Sequence, residues 1–396
     1  MNTVLKNSFT RFLIMDALFE GGRMFVGAIS IAYLLQSNIN LKQIAILKSI
    51  QALTIILGEI PTGVLADLFG RKRSLELAVF TSIIGFFLYY SGGHFAFFIA
   101  GEILTAIGLC FWSGAYEAFA IDRVRLESEP GLLDRFFHLN QAINSAAVLF
   151  FGGLGGYIGG VKLNFPYIAA IIVFIILAVL LYQTDRDYPR KPIAAIAPST
   201  SKSNKLWSKL LPYFLANVGI QLLIQPMLHY WQPYFQTFGN QIGPKELGWI
   251  FSSYCGLSII FGMVYARYSK QKCVQSYQMT VILFLCSSLI YYVFSIVKTW
   301  QVGVILFALL QATLSVARTS LGARLNEKIP TAFRASVLSM VSLFSRFGMI
   351  GSLAVLSKFT DPVYMFLFFS EISLTIMIVG LCVLIIFIAF RKKCYA

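Results

Sequence analysis

Residues 59–73 read Glu59-Ile-Pro-Thr-Gly63-Val-Leu-Ala-Asp67-Leu-Phe-Gly70-Arg71-Lys72-Arg73. An apolar stretch ends in a glycine and three consecutive cations, and a second apolar stretch follows directly. That arrangement predicts two membrane helices joined by a very short turn. Gly70 supplies the permissive backbone that so tight a reversal needs. Gly63 lets a neighbouring helix come close. Asp67 is placed to face a helix N-terminus, and Arg71 to pair with acids at neighbouring helix ends.

Outward from this turn the chain has the same texture. Of 396 residues, 58% are hydrophobic and 12% charged, with a mean hydropathy of +0.74. A soluble domain averages about 45–50% apolar and about 25% charged, so the expected class is an all-α polytopic membrane protein. Apolar spans fall near 9–36, 43–69, 74–92, 95–122, 136–160 and 164–183. Six more fall near 210–238, 246–267, 273–297, 299–323, 332–357 and 362–390. Twelve transmembrane helices in two six-helix bundles are therefore expected: 1–183, a basic linker 184–209 with PRKP and APSTSKSNK, and 210–396. A degenerate echo of the 63–73 loop, Gly262 to Lys272, lies 199 residues later, after the second span of the second half. Such a parallel repeat is one of the known transporter architectures.

The net charge of +15 does not indicate nucleic acid, because the basic residues gather in short loops between spans. With the N-terminus inside, 24 of the 32 Lys and Arg lie on inner segments and 6 on outer ones, Lys42 and Lys48 among the latter. The positive-inside rule then places both termini and the linker in the cytoplasm. A bacterial inner membrane and a monomer are expected. No cleavable signal peptide is read, since the first apolar run carries charges unlike an h-region.

Those charges are Asp16, Glu20 and Arg23, inside the first span. Spacings of four and seven put them within roughly 60° of one another on one helix face. A charge near the bilayer centre costs about 2.5–3.5 kcal/mol on insertion scales and is by default functional. One polar stripe on an apolar helix points to a helix lining a pathway; an ion pair of Glu20 with Arg23 that only locks packing is the alternative.

The loop 59–73 resembles the Gly-x3-Asp-x2-Gly-Arg-Lys/Arg motif of the major facilitator superfamily. The resemblance implies two six-helix bundles around a central cavity lined mainly by helices 1, 4, 7 and 10, working by alternating access. It also implies that Gly63, Asp67, Gly70 and Arg71 form an inner gate latch, with Asp122 pairing to Arg71. The fourth span carries Gly101-Glu102, Gly108 and Asp122-Arg123. Many superfamily members have an Arg where Glu102 stands, and Gly108 is kept. This departure implies an exchange of charge roles, with Arg23 as the cation and Glu102 or Glu20 as its acid. Arg23 lies about 16 Å from the inner end and Glu102 about 11 Å from the outer end, at similar height in a core about 30 Å thick.

Gly152, Gly156 and Gly160 recur at four-residue spacing in the fifth span, a face for close packing. The run also weakly resembles the superfamily's antiporter motif, with Gly156 in place of its proline, which tilts the expected direction toward export. In the seventh span Gln221, Gln225, His229 and Trp231 sit beside Pro226 and Pro233. Amides and aromatics at a broken helix suit a polar solute with some flat surface; Trp231 is also expected to be partly interfacial, where aromatics gather. Arg346, about 14 residues into the eleventh span, needs an acid, a carbonyl or an anionic substrate, and Glu371 is a candidate partner.

The six cysteines form no metal or disulfide pattern, and with three histidines, no HExxH and no Walker loop, the sequence gives no enzyme signature, metal site or cofactor. The expected function is a secondary transporter of a small polar, zwitterionic or metal-chelating solute, coupled to protons through Asp16, Glu20 or Glu102. The alternatives are an uncoupled facilitator or importer, and a transport-inactive receptor on the same fold.

Overall fold

The computed structural model describes residues 3–125, 132–184, 220, 224–225, 227–239, 241–268, 277–328 and 334–375. Among them there are helices and no strands. The first unit holds α1 (Thr3–Met24), α2 (Ser30–Gln36), α3 (Leu41–Phe69), α4 (Arg71–Ser91), α5 (Phe95–Arg125), α6 (Leu132–Gly159) and α7 (Phe165–Tyr182). There follow α8 (227–236), α9 (Pro244–Tyr268), α10 (Tyr277–Ser295), α11 (Trp300–Lys328), α12 (Arg334–Leu356) and α13 (Pro362–Thr375). Each of the twelve expected spans contains at least one of these helices, and the first, 9–36, contains two. Among the described residues seven helices are long and apolar enough to cross a membrane, and three more are apolar but shorter. Helix α1 is not among them, because Arg11, Asp16, Glu20 and Arg23 lower its hydropathy.

The helix ends follow from local chemistry. Asn40 caps α3 in a reciprocal box: its side chain accepts from the Gln43 N–H at 2.9 Å, and Gln43 Oε1 accepts from the Asn40 N–H at 3.0 Å. Gly70, at φ +97°, both ends α3 and precedes α4, so one residue reverses the chain as expected. Lys72 and Arg11 close the end of α7. Lys72 Nζ donates to the Thr184 carbonyl at 2.6 Å, and Arg11 Nη1 to the Gln183 carbonyl at 3.0 Å; cations belong at that negative end of the helix.

The expectation of one continuous helix over 9–36 is corrected. The helix stops at Met24 and resumes at Ser30, with short turn bonds between: Gly27 N–H to the Met24 carbonyl at 2.9 Å and Ile29 N–H to the Val26 carbonyl at 3.1 Å. The reason is tertiary. Gly155 of α6 presses its bare backbone on the Phe25 carbonyl, where any Cβ would overlap it. The close approach leaves no room for a regular turn with a side chain between.

By contact, the chain divides into two compact units, 1–196 with 242–252, and 197–241 with 253–396. In the first, α4 packs along α5 and α7, α3 on α5, and α1 on α6 and α7. Glycines set the α4–α5 distance: a Cβ on Gly85 would stand 3.0 Å from the Gly101 carbonyl, and one on Gly108 would stand 2.8 Å from the Ala78 carbonyl. The start of α9 seats Gly248, Phe251 and Ser252 against Gly156, Gly152 and Gly153. In the second unit, Trp231, Phe235, Tyr254, Phe294 and Phe307 build an aromatic core, with the Trp231 and Phe307 rings stacked at 5.6 Å.

Candidate transport site

The three charges of α1 do not act as one stripe. Asp16 is buried. Its Oδ1 accepts from Trp112 Nε1 at 2.8 Å, and its Oδ2 from Asn140 Nδ2 at 2.7 Å and Asn144 Nδ2 at 2.6 Å. All three partners are neutral N–H donors, from α5 and α6, and no cation lies within ion-pair distance among the described residues. Phe19 stacks on Trp112 at 4.1 Å and Trp112 on Tyr116 at 5.3 Å, fixing the indole toward the carboxylate. The Tyr116 hydroxyl is shared between the Phe12 carbonyl at 2.9 Å and Asn140 Oδ1 at 3.2 Å. Asp16 thus pins three helices together.

One turn further on, Glu20 and Arg23 pair with each other at 3.2 Å. Their side chains are 32% and 22% exposed, and the Arg23 guanidinium lies 5.8 Å from the Phe19 ring centre. The pair stands directly before the break between α1 and α2.

Glu102 has different partners from those expected. Its Oε1 accepts from Lys48 Nζ at 2.8 Å, and its Oε2 from the Tyr89 hydroxyl. The Glu102 side chain is 3% exposed and that of Lys48 13%. Tyr89 stacks on Tyr167 at 5.3 Å, and Tyr33 donates to the Tyr89 carbonyl at 2.7 Å. The expected exchange of Arg23 with Glu102 is therefore corrected: Arg23 takes Glu20, and Glu102 takes Lys48. Lys48, counted above as an outer-loop lysine, lies inside α3 because Asn40 starts that helix upstream of it.

At the 59–73 turn, Arg71 is buried at the start of α4 and engaged with its neighbours. The side chains of Asp67 and Asp122 lie outside the described residues. A Cβ at Gly63 would meet nothing within 4 Å, so Gly63 is not required for close approach by its own side; Gly114 is the residue facing it. In the second unit Gln225 is buried, while His229 and Arg346 are partly buried and engaged. Gln221 lies outside the described residues. Trp231 is buried, at 2% exposure, in the aromatic core.

A family model described as Major Facilitator Superfamily matches residues 13–353. The chain belongs to the Major Facilitator Superfamily. It is 22% identical over 232 residues to the uncharacterized MFS-type transporter YxaM of Bacillus subtilis (strain 168), a match covering 56% of this chain and 57% of that protein. The chain thus spans a little over half the length of that curated relative. In fold it is similar to the crystal structure of nucleoside transporter NupG, with a TM-score of 0.78, 12% identity, and 95% and 98% of the two chains covered. It is also similar to a peptide transporter POT in complex with sulfate, at TM-score 0.75, 14% identity and 95% and 94% coverage. As a superfamily member it is a multi-pass membrane protein.

Several residues of this superfamily chain's polar clusters escaped sequence reading. Asn140 and Asn144 stand four apart on one face of the fifth span, and so do Trp112 and Tyr116 on the fourth; that spacing was the available signal. Tyr89 and Lys48 gave none, since their pairing with Glu102 joins three helices. The Gly152, Gly156 and Gly160 run packs on the start of α9.

Proposed function

We propose that this transporter moves a small polar solute, zwitterionic or metal-chelating, by alternating access coupled to protons, and that Glu20–Arg23 is the exchangeable charge pair. One observation carries this reading. Of the three acids at Asp16, Glu20 and Glu102, Asp16 and Glu102 are buried while Glu20 is partly exposed, and its partner Arg23 is partly exposed with it. Asp16 is committed to three N–H donors and Glu102 to Lys48 and Tyr89. An accessible pair of opposite charges can release its internal bond for the two ends of a zwitterion, or for a proton on Glu20 and an anionic group on Arg23. Its position before a break in the first helix fits transporter sites built at helix interruptions.

The test starts from a thermal-shift screen of zwitterionic and chelating solutes, since binding to the native state raises apparent stability. A hit is then followed in proteoliposomes with an imposed pH gradient, where the sign of accumulation gives the direction. Glu20→Gln is expected to abolish gradient-driven accumulation and to spare solute-for-solute exchange. Full accumulation in that variant would overturn the coupling role of Glu20. Wild-type flux indifferent to the gradient would establish an uncoupled facilitator instead.

A further inference from the structure

A groove of about 550 Å³ lies on the first unit, beside the 70–73 turn. That volume is within the range of roughly 300–1,000 Å³ common to sites for small organic ligands. Its walls are Leu65 and Phe69 of α3, Leu77 and Phe80 of α4, and Phe111 of α5. Phe69 and Phe80 are each 59% exposed, so large aromatic faces stand open along it. Ser74 at the floor is buried and spends its hydroxyl on the Phe111 carbonyl at 3.2 Å. The wall is almost entirely apolar, with one cation at its mouth.

That cation is Arg73. Its two neighbours in the basic triplet are committed: Arg71 is buried and engaged, and Lys72 holds the end of α7 and lies 3.8 Å from Glu76. Glu76, also on the rim, is therefore offset by Lys72. Arg73 is exposed and has no hydrogen bond or ion pair among the described residues.

We propose that this groove binds an anionic phospholipid, with an acyl chain along Phe69, Leu77 and Phe80 and the phosphate on Arg73. The chemistry matches at both ends. An open apolar groove on a membrane protein suits a hydrocarbon chain, and a guanidinium without a partner among the described residues suits a phosphate, which it binds through two parallel N–H bonds. The triplet's positive charge marks this end of the bundle as the one facing the anionic leaflet, where a basic residue near the surface contributes about 1 kcal/mol to lipid attraction. The site is separate from Glu20 and Arg23 and does not depend on the solute or its coupling.

The experiment uses the full chain purified in a neutral detergent. Phosphatidylglycerol and phosphatidylcholine of the same acyl chains are titrated, and bound lipid is counted by native mass spectrometry. Wild type is expected to retain phosphatidylglycerol about fivefold more tightly. Arg73→Ala should erase that preference, and Arg73→Lys should keep part of it. Leu77→Trp, which fills the groove, should weaken both lipids alike. Glycerol phosphate, which has the head-group charge and no chains, should not displace the lipid at equal concentration. An unchanged preference in Arg73→Ala, or displacement by glycerol phosphate, would overturn the proposal.

Discussion

Glu20 and Glu102 are both acids within membrane helices of one unit, and each has a single basic partner. They differ in what surrounds the pair. Glu102 is 3% exposed and its Lys48 13%, with Tyr89 closing the remaining side; Glu20 and Arg23 are 32% and 22% exposed, and the Arg23 guanidinium lies over the Phe19 ring. Desolvation has already been incurred at Glu102, so its bonds hold only while both partners stay. Glu20 and Arg23 keep more of their surface open, and a partly exposed pair separates at smaller cost than a buried one. An acid with a basic partner is thus closed off at Glu102 and left partly open at Glu20.

The largest expected effect lies at the closed pair. Lys48→Ala should leave Glu102 as an uncompensated buried charge and destabilise the protein by about 3–5 kcal/mol. Lys48→Met with Glu102→Gln should recover most of that in denaturant unfolding of the detergent-solubilised chain. Arg23→Ala, at the open pair, should cost no more than about 1 kcal/mol. Equal losses in Lys48→Ala and Arg23→Ala would erase the distinction between the two pairs.

Asp16 provides an intermediate case, buried like Glu102 but held by neutral donors. Asp16→Asn keeps the shape and turns an acceptor into a donor facing Trp112, Asn140 and Asn144. Losing a hydrogen bond to a charged group costs about 1.5–3 kcal/mol. Unfolding should report that loss, while gradient coupling in the folded fraction stays as in wild type; loss of coupling without loss of stability would move the proton site from Glu20 to Asp16.

Next in size is the packing that breaks the first helix beside Glu20. Gly155→Ala sets a Cβ on the Phe25 carbonyl, and overpacking of this kind costs about 1–3 kcal/mol. The smallest effect is expected at Gly63→Ala, whose Cβ enters open space, with a change within about 0.5 kcal/mol. Melting temperatures of the two variants measured side by side would test this order, and a Gly63 variant less stable than the Gly155 variant would reverse it.

Much of the molecule was legible in one dimension. Span lengths, the tight turn at Gly70 and the glycines of the fourth and fifth spans follow from local composition, because helix length, backbone permission and small-residue spacing are properties of short segments. Gly108 was noticed through a family likeness, and the structure gives its physical reason in the approach of α4 at Ala78. The Glu20–Arg23 pair was also readable, since residues three apart on a helix are neighbours.

What sequence alone determined, then, was a helical membrane protein with charges in its first span and a basic turn between its second and third. Tertiary structure decided which charge meets which partner. Lys48 and Glu102 are 54 residues apart, and Asp16 and Asn144 are 128 apart. No local pattern encodes such pairings, because they arise where three helices pack at a set distance and depth. Burial decided the rest: it commits Asp16 and Glu102 to fixed partners and leaves Glu20, on the same helix as Asp16, partly exposed.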